Sequence, residues 1–152
     1  MPPLKRILLV EDSERDVELT LRALDEHHLA NEVIVARDGE EALDYLYHRG
    51  SFSSRPGGLP CVVLLDLKMP KVDGMEVLRT MKTDAALQNV PVVMLTSSRE
   101  EQDLVRSYRS GVNAYVVKPV DFNQFVDSIK QLGFFWAILN EPPPQKVELE
   151  KR

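Results

Sequence analysis

Val62-Val63-Leu64-Leu65-Asp66 is four apolar side chains in a row and then a carboxylate. A run this short, β-branched at its start and closed by a polar residue, reads as a strand buried on both faces. Strands of that kind belong to parallel sheets. Three further stretches repeat the plan on either side of it. Ile7-Leu8-Leu9-Val10 stops at Glu11 and Asp12, Val92-Val93-Met94-Leu95 stops at Thr96, and Tyr115-Val116-Val117 stops at Lys118. Parallel strands share a direction, so their C-terminal ends lie on one edge of the sheet. Three carboxylates, a hydroxyl and an ammonium then meet at the edge where open α/β sheets place their ligands.

Helix-forming segments separate the strands. Ser13-Glu14-Arg15-Asp16 has the pattern of a capping box, with acidic side chains at the positive end of the helix dipole. Val17, Thr20, Leu21 and Leu24 then share one helical face. Val33-Ile34-Val35-Ala36 is a short second strand, and after Asp38-Gly39 a helix is predicted over 40–48. Residues 49–60 form a polar loop rich in glycine and proline, longer than the usual return to a strand. Lys68-Met69-Pro70-Lys71-Val72-Asp73-Gly74 leads from the third strand into a helix carrying Met75, Val77, Leu78 and Met81. Ser98-Arg99-Glu100-Glu101 is a second capping pattern, opening a helix that stops at Gly111. Pro119 ends sheet pairing after the last strand, and a final helix is predicted over 121–139. The proline-rich, charged segment 140–152 reads as a trailing tail rather than an added domain.

Five strands alternating with five helices make an α/β doubly wound parallel sheet. Right-handed crossovers allow the order 2-1-3-4-5, which makes the first and third strands neighbours. That order sets Glu11 and Asp12 beside Asp66.

Composition narrows the classes of function. The 152 residues suit one domain with a sizeable core. Nineteen basic residues against 24 acidic ones leave a net charge of −5, and no stretch is basic enough to track a phosphate backbone. Nucleic acid is therefore not expected as a partner. No apolar run approaches a bilayer span, and the first six residues lack a signal-peptide pattern. The expectation is a soluble cytoplasmic protein with no membrane association. The single cysteine, Cys61, excludes an internal disulfide framework and is expected to be buried at the start of its strand. His27, His28 and His48 fall near helix ends and are expected to face solvent.

Three crowded carboxylates repel one another unless a cation relieves them. Magnesium suits this set, since it takes oxygen ligands and keeps several waters when one or two carboxylates bind it directly. Lys118 cannot ligate a metal but can pair with an anion, and Thr96 can donate a hydrogen bond to one. A site holding a hard cation, an ammonium and a hydroxyl is suited to a phosphoryl group. A carboxylate aimed at that group can be its nucleophile, giving an aspartyl phosphate. Asp66 is the central candidate, with the Lys68 carbonyl available as a further metal ligand.

Glu11-Asp12, Asp66, Thr96-Ser97 and Lys118-Pro119, with Met69-Pro70 and Asp73-Gly74 between them, closely resemble the receiver domain of two-component response regulators. Each motif alone is weak, and five in order on the right strands are highly specific. The resemblance implies a flavodoxin-like receiver over 4–139, with 140–152 as a tail and no output domain. It implies that Asp66 accepts a phosphoryl group from a sensor histidine kinase, the protein catalysing only its own phosphorylation and dephosphorylation. Asp12 and Asp66 would bind Mg2+ directly with the Lys68 carbonyl, and Glu11 through water; Mn2+ is a substitute. Lys118 would pair with the phosphoryl oxygens, while small Ser97 leaves access to Asp66. Thr96 would swing toward the phosphate and Tyr115 would turn inward, reshaping the face of the fourth helix, fifth strand and fifth helix. The Lys118–Pro119 bond would be cis.

Taken singly, these residues have plainer readings: strand-end acids as solvated caps, Lys118 as a surface charge, Thr96 as a helix cap, Tyr115 as a strand aromatic. Their joint placement favours the site. In the last helix Phe122, Phe125, Ile129, Leu132, Trp136 and Leu139 form a core-facing stripe. Phe134, Phe135 and Ile138 fall off it and read, with Tyr115, as an interface. The long 49–60 loop and Phe134-Phe135-Trp136 are similar to stand-alone receivers associated with bacterial phytochrome kinases. That likeness implies a phytochrome-type kinase as donor, a homodimer, and a downstream protein whose identity is open. Two rivals remain. A Mg-dependent phosphohydrolase with an aspartate nucleophile is expected to carry a second aspartate two residues on, where this chain has Lys68. A phosphorylation-independent pseudo-receiver would lack one of the acids, the hydroxyl or the lysine, and none is missing.

Overall fold

The computed structural model describes residues 6–25, 32–67, 69, 71–98, 100, 101, 114–121, 123, 124 and 127. Within them, β1 (Ile7–Val10), β2 (Val33–Ala36), β3 (Val62–Asp66), β4 (Val92–Thr96) and β5 (Ala114–Val117) form one sheet. Its order is β2-β1-β3-β4-β5 and every pairing is parallel. The helices are α1 (Glu14–Asp25), α2 (Gly39–Tyr47) and α3 (Gly74–Thr83). Backbone is helical again at residues 100 and 101 and at 123, 124 and 127, inside the predicted fourth and fifth helices. Several expectations lie outside the described residues: the stop at Gly111, the stripe of the last helix, Phe134, Phe135, Ile138, the tail, the Lys68 carbonyl, His27 and His28.

The unbroken apolar runs are explained by two cores, one on each face of the sheet. Leu8, Val10, Val63, Leu65, Val92 and Met94 point toward α2 and α3, meeting Ala42, Tyr45, Leu46, Val77, Leu78 and Met81. The alternate residues Ile7, Leu9, Val62, Leu64, Val93 and Leu95 point the other way, toward Val17 and Leu24 of α1. Burying each such side chain contributes about 1.5–3 kcal/mol, so a polar residue inside these runs would be costly. The polar residues stand at the strand ends instead. β2, at the sheet's edge, keeps only Ala36 fully buried.

Some local details differ from the predicted ones. Asp38 caps α2 by accepting the Glu41 N–H at 2.7 Å, so that helix starts at Gly39 rather than at 40. It ends at Tyr47 because His48 turns into the left-handed region at φ 55. His48 is exposed, as expected. Cys61 is half-buried rather than buried, because it lies one residue before β3 and packs on the rim of the α1-side core. The long loop carries a 3-10 turn, Gly50–Phe52, and is pinned to α2. Phe52 meets the Tyr45 ring edge-on at 5.1 Å between centroids, and the Arg55 guanidinium stacks over the same ring at 3.8 Å.

Candidate functional site

Register builds the site. Val10 pairs with Leu65, so Glu11 and Asp12 emerge from β1 next to Asp66 at the end of β3. Thr96 pairs with Val117, which brings Lys118 past the end of β5 to the same edge. Gly74 is what lets α3 start this close to β3. Its N–H donates to the Leu67 carbonyl at 2.8 Å, and a Cβ there would run into the Asp66 carbonyl and the Leu67 backbone.

Glu11, Asp12 and Asp66 each offer a carboxylate oxygen, all within 4.8 Å of one another. Glu11 and Asp66 are buried and Asp12 is exposed, so the cluster opens to solvent on one side. Lys118 reaches into it: its Nζ lies 3.1 Å from Asp66 Oδ1, 3.1 Å from Glu11 Oε1 and 3.0 Å from Asp16 Oδ2. Its backbone N–H donates to the Thr96 carbonyl at 2.7 Å, and the Lys118–Pro119 bond is cis. The Thr96 side chain is fully buried, and among the described residues its Oγ1 has no hydrogen-bond partner. An unmet buried hydroxyl costs about 1–3 kcal/mol, so the Thr96 hydroxyl can donate to a further acceptor at this edge.

Electrostatics follow from one ammonium among four acids. Burial, then the nearby Asp66 charge, pushes Glu11 up from 4.5 to about 7 against the opposing pull of Lys118. Asp66 is also raised, chiefly by burial, with Asp12 and Glu101 adding to the rise and Lys118 working against it. For Lys118, burial alone would favour the neutral amine. The hydrogen bond to Asp16 and the charges of Asp66 and Glu11 outweigh it and hold the group protonated. Oxygen-only donors carrying excess negative charge fit a hard divalent cation such as Mg2+ or Mn2+.

The chain matches the response regulator receiver domain family over residues 7–130. It belongs to that family. The bacteriophytochrome response regulator AtBRR superposes with a TM-score of 0.87 and is 69% identical, the match covering 92% of this chain and all of that one (100%). A second bacteriophytochrome response regulator, RtBRR, gives a TM-score of 0.84 at 60% identity over 99% of this chain and 90% of its own. Response regulator Rcp1 of Synechocystis sp. is 38% identical over 134 residues, covering 88% of this chain and 90% of Rcp1. The crystal structure of the Mn2+-bound form of response regulator Rcp1 has a TM-score of 0.71 at 36% identity, over 92% of this chain and 99% of that one. The receiver chain is thus a signalling domain with phytochrome response regulators among its neighbours. Among its described residues no helix is long and apolar enough to cross a membrane.

Five of the receiver residues singled out in sequence, Glu11, Asp12, Asp66, Thr96 and Lys118, stand together at the sheet edge. Tyr115 stands apart from them, half-buried in β5 opposite Met94 and packed on the α2 and α3 side core. Two acids near the site were read only as helix caps. Asp16 was one half of a capping box, but only the other half forms: Ser13 Oγ accepts the Asp16 N–H at 3.2 Å. The Ser13 N–H goes to Glu11 Oε2 at 3.2 Å, and the Asp16 carboxylate goes to Lys118. The Glu101 carboxylate likewise accepts from Ser97 rather than from the Ser98 N–H, while the Glu101 N–H donates to Ser98 Oγ at 3.1 Å. A usable signal existed. Side chains in a helix's first turn lean toward its N-terminus, so acids there point back at the strand ends.

Proposed function

We propose that this receiver is a response regulator whose Asp66 accepts a phosphoryl group from a phosphohistidine of a sensor histidine kinase. A carboxylate oxygen of Asp66 attacks phosphorus, the P–N bond breaks, and the imidazole leaves. Asp12, Asp66 and the Lys68 carbonyl would hold Mg2+ (or Mn2+), with Glu11 acting through water. When bound, the cation spreads the negative charge of the phosphoryl oxygens. Lys118 moves its ammonium from the Asp66 carboxylate to a phosphoryl oxygen, and Thr96 donates its hydroxyl to another. The protein catalyses only its own phosphorylation and dephosphorylation.

One observation carries this reading. The buried Asp66 carboxylate lies 3.1 Å from Lys118, at the edge where the Thr96 hydroxyl is also buried with no hydrogen-bond partner among the described residues. The identities of 69% and 60% to two bacteriophytochrome response regulators support a phytochrome-type kinase as the donor. The signal leaves through the face of the fourth helix, fifth strand and fifth helix, with Tyr115 as the inward-turning element. Phe134, Phe135 and Ile138 join Tyr115 in a homodimer contact, and a downstream protein reads the outcome in the cytoplasm. The receiver unit spans 4–139, with 140–152 as its tail. With acetyl phosphate and Mg2+, the parent protein should label and Asp66→Asn should not; equal labelling of the two would sink the proposal.

A further inference from the structure

Glu101 is a buried carboxylate, 7% exposed, that this phosphoacceptor chemistry leaves without a task. Its Oε1 accepts the Ser97 backbone N–H at 2.9 Å and the Ser97 hydroxyl at 3.3 Å. Its own N–H donates to Ser98 Oγ at 3.1 Å, which is the ordinary work of a helix cap. A complete capping box would return the Glu101 carboxylate to the Ser98 N–H. Here it goes one residue earlier, to the residue that directly follows Thr96. Thr96 follows Leu95, the register partner of Asp66, so the Ser97 donors stand beside the phosphoacceptor's end of the sheet.

We propose that Glu101 is an internal anion seated on the Ser97 donors, and that a phosphoryl group on Asp66 takes those donors over and displaces it. The inference rests on Asp66 being the phosphoacceptor. A phosphoryl group brings three acceptor oxygens and close to two negative charges. Beside it, Glu101 is both a competitor for the Ser97 N–H and a like charge in a poorly solvated place. Its displacement carries the turn that starts at Ser98, so the group that repels the phosphate also transmits its arrival. Glu101 is in this sense a positioning residue: it acts through Ser97 and touches no reacting atom.

Glu101→Gln keeps an acceptor oxygen for Ser97 and removes the charge. Its initial rate of Mg2+-dependent labelling by acetyl phosphate should rise by about fivefold, the effect of deleting one neighbouring like charge, with thermal stability unchanged. A role confined to capping would leave that rate alone. In Glu101→Ala the Ser97 amide should exchange with solvent about tenfold faster than in the parent, and beryllofluoride with Mg2+ should restore its protection. Equal labelling of the parent and Glu101→Gln overturns the inference alone, as does fast Ser97 exchange in the beryllofluoride-bound alanine variant. Absence of labelling in both proteins overturns the phosphoacceptor reading and takes this inference with it.

Discussion

With Glu11, Asp16 and Asp66 all within 3.1 Å of its Nζ, Lys118 sets the charge balance of the site, and the balance is incomplete. The remainder shows as Glu11 raised from 4.5 to about 7, by burial first and Asp66 second. The folded protein therefore holds that proton more tightly than the unfolded chain does. The stability so contributed is fully present below pH 4.5 and is lost as pH rises through about 7. A divalent cation bound there would do the proton's work at higher pH, where the carboxylates are ionised and free to ligate. Saturating Mg2+ should accordingly raise the melting temperature several degrees more at about pH 8 than at about pH 5. Thermal scans with and without the metal check this, and equal shifts at both values would count against the cluster as the cation site. Asp16 belongs to the same balance; its lean toward the strand ends was legible from sequence, and its partner was not. A first-turn acid is fully explained as a cap, and only the position of Lys118 after β5 diverts it. That contact joins residues 102 apart in the chain.

Among the elements, the seam between β3 and α3 has the least room. Gly74 packs against the Asp66 carbonyl and the Leu67 backbone, which cannot swing aside as a side chain can. Gly74→Ala should destabilise the protein by about 2 kcal/mol, the usual scale of overpacking, and should tilt the carboxylate-bearing end of β3. Urea denaturation reads the first effect and the loss of Mg2+ affinity reads the second; a variant with parental stability and affinity would refute the seam. Asp73 on the preceding position caps α3 through the Glu76 N–H at 3.0 Å, so the Asp73-Gly74 pair has a structural reason in each residue. Strand ends were legible because a buried parallel strand must stop where its side chains turn polar. The boundaries of α2 were legible only to within a residue, since the cap at Asp38 and the left-handed His48 decide them. The pinning of the long loop by Phe52 and Arg55 onto Tyr45 was not legible at all. Aromatic contacts between an irregular segment and a helix leave no periodic trace.

For the whole molecule, strand order turns a list of strand ends into a site. Because β1 lies between β2 and the central β3, Glu11 and Asp12 reach Asp66; because β4 and β5 follow on the other side of β3, Thr96 and Lys118 reach it too. The two cores pack the sheet from both faces, and the polar residues of the site stand at the ends of the buried runs. Family membership and the order of the sheet were readable from the five motifs together. The electrostatic linkage of Glu101 was not, since it depends on where the fourth strand ends relative to the third. The central claim is that the phosphoryl group resides on Asp66. Reducing the acetyl-phosphate-treated protein with tritiated borohydride converts an acyl phosphate to an alcohol and leaves the label at the acceptor. The label should appear, only when Mg2+ was present, in the peptide containing Asp66; label in another peptide, or label independent of Mg2+, would contradict the account.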